Sequence, residues 1–236
     1  LVVIHMITSG YFFEKICKRK TMKNIVVMIS GNGSNLQAIL DATLAGQING
    51  KIVGVISNKS SAYGLIRAQQ AGIPTFVFSR KTFADNLAMD SAIAERLEAL
   101  NADLIVLAGY MKILTPELTA RFLGKIINIH PSLLPKYAGL HTHQRAMPAV
   151  FSVYGMSIHF VNEEVDGGAR ILQAKVPIYP DDELDDVIER VYEQEHRCYP
   201  LVVKWFCDNR LSLKQGKAYL DNQILPSQGY ALDDWF

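Results

Sequence analysis

From residue 22 onward, short runs of β-branched and other apolar residues alternate with stretches in which apolar residues recur at helical spacing. This alternation is typical of βαβ units, and it predicts an α/β fold with a mostly parallel central sheet and helices on both of its faces. The predicted strands of the first half are 25–29, 52–56, 75–78, 103–110 and 126–129. The predicted helices between them are 36–44, 63–71, 85–100 and 116–124.

The rhythm of the sequence changes after residue 130. A loop rich in Pro, Gly and His covers 131–144, and a possible short helix limited by Pro148 comes after it. Two further strands are predicted at 157–161 and 171–178, and the turn Asp166-Gly167-Gly168 joins them. A long amphipathic helix is predicted at 184–206, and Pro200 bends or interrupts it. A hairpin is predicted over 219–225. We expect one domain, 22–236, with an N-terminal lobe at about 22–122 and a C-terminal lobe at about 123–236.

Residues 1–21 differ in character from the rest of the chain, because a short apolar start precedes the basic cluster KICKRK. A secretory signal has these two parts in the opposite order, and the apolar part is too short to span a bilayer. We interpret 1–21 as an appended tail. No other apolar run approaches the length of a membrane span, so no membrane association is expected.

Charge and cysteine content limit the possible partners. Lys and Arg total 24 against 23 for Asp and Glu, so the net charge of +1 provides no broad positive potential for nucleic acid. A small-molecule substrate is therefore the expected ligand. The three cysteines are too few and too poorly spaced for a disulfide framework or a zinc site, which favours a reducing compartment, the cytoplasm.

The segment Ser30-Gly31-Asn32-Gly33-Ser34-Asn35 joins the first predicted strand to the first helix. Its backbone N–H groups converge at a helix N-terminus, which predicts an anion site; the alternative is a tight turn that needs glycine. Leu36 occupies the third glycine position of the dinucleotide fingerprint, and 57–59 carries no acidic ribose ligand. A single monophosphate therefore fits this loop better than NAD or ATP.

Asn128 and His130 lie two residues apart at the end of the fifth predicted strand, so both side chains project to one side of the sheet. At the carboxyl end of a parallel strand, that side faces the crevice in which ligands bind. The alternative for His130 is a hydrogen-bonded structural residue. Asp166 precedes two glycines and is either a turn former or a partner of His130. In the second case, its charge raises the pKa of the imidazole and produces an acid active near neutral pH.

Other polar residues have simpler interpretations. His141 and His143 are expected to be polar loop residues near a ligand, because no further metal ligands have suitable spacing around them. His159, inside a strand, is interpreted as a hydrogen-bonded core residue. The stretch 193–195 is either helix surface or a set of contacts to a substrate amine.

Several motifs together resemble the phosphoribosylglycinamide formyltransferase family. They are Ser30-Gly-Asn-Gly-Ser-Asn-Leu-Gln-Ala38, Asn128-Ile-His-Pro-Ser-Leu-Leu-Pro135, Gly139-Leu-His-Thr-His143, Gly155-x-Ser-Ile-His-Phe-Val161 and Asp166-Gly-Gly168. The resemblance runs in consistent order from Met22 to about Tyr230. It implies a Rossmann-like formyltransferase fold and transfer of a formyl group from 10-formyltetrahydrofolate to the amine of glycinamide ribonucleotide, in purine synthesis. It implies no metal, and the protein is expected to be a monomer or homodimer.

The resemblance also implies residue roles. The catalytic residues are Asn128, His130 and Asp166. The ribonucleotide-binding residues, in the N-terminal lobe and the long helix, are Gly33, Ser34, Asn35, Tyr192, Glu193, Gln194 and Glu195. The folate-binding residues, in the C-terminal lobe and before it, are Met111, Lys112, Ile113, Leu114, Asn128, Asn162, Glu163, Glu164, Val165 and Asp166. Two residues depart from the family pattern: Lys112 stands where an arginine is often seen, and Asn86 stands where a basic residue is expected.

Three alternatives stay open. A methionyl-tRNA formyltransferase has an additional RNA-binding domain and a basic surface, for which this chain has neither the length nor the charge. A formyltetrahydrofolate hydrolase often has a regulatory domain before its catalytic half. A catalytically silent nucleotide-binding module requires the glycine loop alone, and the ordered set of Asn128, His130 and Asp166 argues against it.

Overall fold

The computed structural model describes residues 21–136, 138–139 and 153–232. Its strands and helices up to His130 have the βαβ pattern, and the later elements add antiparallel strands and one long helix. The strands are β1 (Lys23–Ile29), β2 (Gly50–Ser57), β3 (Thr75–Val77), β4 (Leu104–Leu107), β5 (Ile126–His130), β6 (Val153–Phe160), β7 (Arg170–Pro177), β8 (Leu211–Lys214), β9 (Lys217–Leu220), β10 (Gln223–Ile224) and β11 (Tyr230–Leu232). The α-helices are α1 (Ser34–Leu44), α2 (Tyr63–Gln70), α3 (Asn86–Ala99), α4 (Pro116–Arg121) and α5 (Leu184–Cys207).

Eight strands form one sheet in the order β11-β7-β6-β5-β4-β1-β2-β3. The neighbours among β1 to β5 are parallel, β6 is antiparallel to both β5 and β7, and β11 is parallel to β7. The expected mostly parallel α/β sheet is thereby confirmed. The chain leaves β1 toward β2 and β3 on one side and returns to β4 and β5 on the other, so a topological switch point lies between β1 and β4.

The core has two layers, one on each face of the sheet. Ile25 and Val27 of β1 face the layer that contains α1, α2 and α5, whereas Val26 and Met28 face the layer of α3 and α4. All four side chains are fully buried. This alternation places helices on both faces, as the sequence predicts.

Pro200 does not interrupt the long helix, so that part of the prediction is wrong: α5 runs continuously through it. The residues beside Pro200 explain why, since Tyr199 and Val203 are fully buried against the sheet. The Tyr199 hydroxyl also donates to the carbonyl oxygens of Leu107 at 2.9 Å and Ile127 at 3.2 Å. These contacts offset the one hydrogen bond that a proline removes from a helix.

Other boundaries differ by a few residues. The predicted strand 103–110 ends at Leu107, because the chain turns through Gly109 at φ 73°. The strand predicted at 157–161 begins earlier, at Val153.

The predicted hairpin is confirmed. Strands β9 and β10 pair in antiparallel fashion around Asp221 and Asn222, which have φ 51° and 64°. Two consecutive positive φ values are those of a type I′ turn, which favours Asn and Asp. A further strand, β8, pairs with β9 and was not predicted from the sequence.

The tail up to residue 20, the loop 140–144 and the helix expected before Pro148 lie outside the described residues. Within the ranges that are described, no helix combines the length and apolar character that crossing a bilayer requires.

Candidate functional site

The carboxyl ends of three adjacent strands converge on one edge of the sheet. Ser30 and the glycine loop come directly after β1, Met111 lies just beyond β4, and Asn128 and His130 close β5. The switch point between β1 and β4 falls at the centre of this edge. Open α/β sheets bind their ligands in the crevice at such a point.

The carboxylate of Asp166 lies among the predicted catalytic side chains. Its Oδ2 atom is 3.3 Å from His130 Nδ1 and accepts the N–H of Gly139 at 2.8 Å. Its Oδ1 atom is 3.4 Å from Asn128 Nδ2 and 3.4 Å from His159 Nε2. The structure thus brings Asn128, His130 and Asp166 together, as the sequence predicts, and adds His159 to them.

The turn before two glycines directs Asp166 toward the sheet. Asp166 has φ 54°, and a side chain at Gly168 would overlap the carbonyl oxygen of Phe160. The chain must therefore pass close to the end of β6, which directs the carboxylate at β5. In this one conformation, Asp166 both forms the turn and contacts the side chains of the candidate site.

The charge state of Asp166 depends on its partners. Burial by itself raises the pKa of this carboxyl, but the hydrogen bond with His159, the charge of His130 and the N–H of Gly139 together lower it to about 2. Asp166 is consequently an anion over the whole physiological range. A neighbouring imidazole beside a fixed anion is favoured in its protonated form.

His159 is a member of the site that sequence reasoning missed. It is buried and hydrogen-bonded as predicted, because its Nδ1 donates to the Phe160 carbonyl oxygen at 2.8 Å. However, its Nε2 lies 3.2 Å from Asn128 Nδ2. Asn128 on β5 is the residue that pairs with His159 on β6. Only the register between these two strands reveals that contact.

The loop after His130 is fixed by side chains of β6 and β7. Ser157 Oγ donates to the Ser132 carbonyl oxygen at 2.6 Å and accepts the Leu134 N–H at 3.0 Å. Gln173 Nε2 donates to the Leu134 carbonyl oxygen at 2.9 Å, and the Tyr154 hydroxyl donates to the carbonyl of Pro131. Polar side chains of β6 and β7 therefore hold this loop in place.

The glycine loop has the geometry of an anion site. Gly33 precedes α1 with φ 76°, and the first helical hydrogen bond runs from Gln37 N–H to the Gly33 carbonyl oxygen. The N–H groups of residues 34–36 accordingly have no partner one turn earlier in the helix. They provide the donors that a phosphate can accept at a helix N-terminus.

A buried acid of α5 contacts this loop. Asn35 Nδ2 donates to Glu195 Oε2 at 2.8 Å, and both residues are buried. Burial raises the pKa of Glu195 to about 7, despite the opposing effect of the Asn35 hydrogen bond. Within the described part of the chain, the buried Oδ1 atom of Asn35 has no hydrogen-bond partner. Of its predicted companions, Tyr192 and Glu193 are exposed and Gln194 is half-buried.

Most of the apolar residues predicted to bind folate are exposed. Met111 and Ile113 are 59% and 72% exposed, and Val165 is 49% exposed, whereas Leu114 is buried. The Met111 N–H donates to Ser30 Oγ at 2.7 Å, which ties this segment to the end of β1.

Most of the other residues predicted to bind folate are polar. Lys112, Glu163 and Glu164 are exposed, and Asn162 accepts the Glu164 N–H at 3.1 Å. Asn86 is exposed at the start of α3.

Among the described residues, no three His, Cys, Asp or Glu side chains are grouped as metal ligands. His141 and His143 lie outside the described residues. Cys198 and Cys207 are buried.

Comparisons with known proteins show which family the chain resembles. Residues 23–203 match the formyl transferase family model. The chain is 62% identical over 210 residues to a phosphoribosylglycinamide formyltransferase of Haemophilus influenzae, covering 89% of this chain and 99% of that protein. It is 50% identical over 211 residues to the Escherichia coli protein of the same name, covering 89% and 100%. A solved phosphoribosylglycinamide formyltransferase of Coxiella burnetii, in complex with CHES, superposes with a TM-score of 0.86 at 42% identity, over 89% of this chain and 99% of that one.

Proposed function

The chain belongs to the phosphoribosylglycinamide formyltransferases of the formyl transferase family, and from this membership we propose the reaction and the residues that perform it. The formyl group of 10-formyltetrahydrofolate passes to the amine of 5-phosphoribosylglycinamide, giving 5-phosphoribosyl-N-formylglycinamide and tetrahydrofolate in purine biosynthesis. The observation that carries the assignment is the contact of the anionic Asp166 with His130 and Asn128 at the carboxyl end of β5.

The ribonucleotide is placed by the glycine loop. Its phosphate accepts hydrogen bonds from the N–H groups of Gly33, Ser34 and Asn35, where the positive end of α1 favours an anion. The pair of Asn35 and Glu195 then lies beside the sugar or the glycinamide, and the unpartnered Asn35 Oδ1 accepts a donor from the ligand. Tyr192, Glu193 and Gln194 flank this position on α5.

The folate lies on the opposite side of the switch point. Met111, Ile113 and Val165 provide apolar contact area, and the segments 111–114 and 162–166 enclose the pteridine between β4 and the turn at Asp166. In this division, residues 22–122 form the nucleotide-binding lobe and 123–236 the folate-binding and catalytic lobe.

The chemistry is a direct acyl transfer. The neutral amine attacks the formyl carbon and gives a tetrahedral intermediate whose oxygen carries a negative charge. The Asn128 amide and the protonated His130 imidazole donate hydrogen bonds to this oxygen, and loss of one such donor typically costs about 10²- to 10³-fold in rate. Collapse breaks the bond between carbon and the folate nitrogen, which gains a proton while the new amide loses one.

Asp166 supports this step through His130. With a pKa of about 2, the carboxylate stays ionised and keeps the adjacent imidazole protonated. It also provides a route for protons between the amine and the folate nitrogen through water. The mechanism requires no nucleophilic side chain and no metal.

Incubation with 10-formyltetrahydrofolate, with and without the ribonucleotide, tests the proposal. We expect tetrahydrofolate to appear only when the ribonucleotide is present, together with one equivalent of N-formylglycinamide ribonucleotide. Deformylation that does not depend on the ribonucleotide indicates a hydrolase. Tight ribonucleotide binding without transfer indicates a catalytically silent module.

The composition-based expectations belong to the same proposal. The substrates are small molecules, the enzyme acts in the cytoplasm, and it is a monomer or a homodimer.

A further inference from the structure

The glycine loop is held from outside by α2. The Gly64 N–H at the start of this helix donates to the Gly31 carbonyl oxygen at 3.1 Å. A Cβ atom at Gly33 would lie 2.7 Å from the Cα atom of Gly64, so the two backbones are in direct contact. The conformation of the loop therefore depends on α2 as well as on the strand and helix that it joins.

Arg67 of α2 makes the polar part of this contact. Its Nε donates to the Asn32 carbonyl oxygen and its Nη2 to Asn32 Oδ1, both at 3.0 Å. Its Nη1 donates to Gln37 Oε1 in the first turn of α1 at 3.2 Å. The guanidinium also stacks on the Tyr63 ring, with its central carbon 5.0 Å from the ring centroid.

The bond to the Asn32 carbonyl sets the direction of the next N–H group. In a trans peptide, the C=O and N–H bonds point in opposite directions across one plane. Because Arg67 holds the Asn32 carbonyl on the α2 side, the Gly33 N–H is directed away from α2, to the other side of the loop. The positive φ of Gly33 then continues the chain into the unpaired N–H groups of α1.

We propose that Arg67 is a positioning residue for the phosphate of the ribonucleotide: its two bonds to Asn32 orient the Gly33 N–H toward the anion. This inference rests on the proposed function only in placing the phosphate at this loop. The role depends on the forked geometry of the guanidinium, since three of its five N–H groups are engaged by Asn32 and Gln37. A lysine keeps the charge but cannot hold two oxygens in that fork.

Steady-state kinetics of Arg67→Met and Arg67→Lys test the proposal. Loss of charge-assisted hydrogen bonds of this kind typically weakens binding by about tenfold or more. We expect the KM for the ribonucleotide to rise about tenfold in both variants, while kcat and the KM for the folate change by less than about threefold. With the ribonucleoside that lacks the phosphate, wild type and both variants should have equal kcat/KM.

Arg96→Met is the matched control. Arg96 belongs to α3, and the central carbon of its guanidinium lies 4.5 Å from the centroid of the Phe76 ring. Arg96→Met therefore loses the same charge and a similar ring contact, but away from the loop. It should have wild-type constants for both substrates. If Arg67→Lys matches wild type, charge and not geometry matters, and the proposal is overturned. It is equally overturned if Arg67→Met loses as much activity with the phosphate-free substrate.

Wild-type turnover separates this inference from the proposed function. If wild type transfers no formyl group, the proposed function fails, and calorimetric titration with ribose 5-phosphate still tests the loop. Weaker binding by about tenfold in Arg67→Met than in wild type supports the positioning role. Equal binding, or no binding by wild type, contradicts it.

Discussion

The two halves of the candidate site are built in different ways. The glycine loop presents backbone N–H groups whose direction is set by the start of α1, by a glycine with φ 76° and by the adjoining α2. The catalytic half consists of side chains from β5, β6 and the turn after β6, gathered around one carboxylate. In the proposed mechanism, binding of the ribonucleotide therefore relies on main-chain geometry, whereas the chemical step relies on the charge state of side chains.

This contrast leads to different responses to substitution. A change of charge with no change of shape should damage the catalytic half and spare the loop. An added methyl group with no change of charge should do the opposite.

The largest effect is expected for Asp166→Asn. The neutral amide no longer favours protonated His130, so kcat should fall by about 10² or more, as for loss of an oxyanion donor, and the KM for the ribonucleotide should change little. His130→Ala should lower kcat to a similar extent. Stopped-flow single-turnover measurements with both substrates saturating provide the rate of the chemical step.

Asp221→Asn is the control for that experiment. Asp221 also has a positive φ, 51°, and pairs with Arg210, but it lies in the hairpin between β9 and β10. Its variant should retain wild-type kcat. A near-normal kcat in Asp166→Asn, with folding confirmed by circular dichroism, would remove Asp166 from the mechanism.

The pH dependence of stability provides a second test of Asp166. Its folded pKa of about 2 lies below the unfolded value, so the stabilisation that it contributes is present above the unfolded pKa and is lost as pH falls toward 2. The difference in free energy of unfolding between wild type and Asp166→Asn should shrink from pH 5 to pH 2. Urea unfolding at several pH values measures it, and a constant difference contradicts the lowered pKa.

Glu195→Gln should have an intermediate effect, with the opposite dependence on pH. The folded pKa of Glu195 is raised to about 7, so the folded state retains a proton that the unfolded state releases above its own lower pKa. The free energy of unfolding of wild type should therefore fall as pH rises from 4.5 to 7, by about 2 kcal/mol relative to the Gln variant. Glu98→Gln, which alters an exposed pair with Arg121, should leave this slope unchanged. Parallel curves for wild type and Glu195→Gln would show that the acid is already ionised.

The smallest effect on kcat is expected for Gly33→Ala. The added methyl group meets Gly64 and forces a non-glycine residue into the left-handed region, which should cost about 1–3 kcal/mol of stability and raise the KM for the ribonucleotide more than it lowers kcat. Gly72→Ala is the control, because Gly72 has φ +71° with nothing within 4 Å of its added Cβ. Thermal denaturation of the two variants separates the contact from the strain. Equal destabilisation in both would show that the approach of α2 does not matter.

The two halves of the candidate site also differ in how much of their structure can be predicted from the sequence. The loop after β1 is readable because a strand, two glycines and a helix start are neighbours along the chain. The pairing of Asn128 with His159 is not readable, because it depends on the register between strands 31 residues apart. Arg67 stays hidden for a similar reason, since the oxygen atoms of Asn32 that it contacts are 35 residues away.

Pro200 shows that tertiary packing can override a local sequence rule. A proline in a helix predicts an interruption when the helix is considered alone, yet tertiary packing of Tyr199 and Val203 keeps α5 continuous. Charge and composition, which are properties of the whole chain, predict a small-molecule ligand, and this stays a prediction. Residue roles at the site remain predictions, which the Asp166, His130, Glu195 and Gly33 variants test.

The hydroxyl of Tyr199 has a consequence for the distance between the two halves of the candidate site. Tyr199 lies one helical turn after Glu195, which contacts Asn35 of the glycine loop. Its hydroxyl donates to the carbonyl oxygens of Leu107 and Ile127, and Ile127 is next to Asn128. Helix α5 cannot slide along the sheet without breaking these bonds. It therefore acts as a spacer of fixed length between the glycine loop and the end of β5, and the separation of these two parts of the candidate site is set during folding.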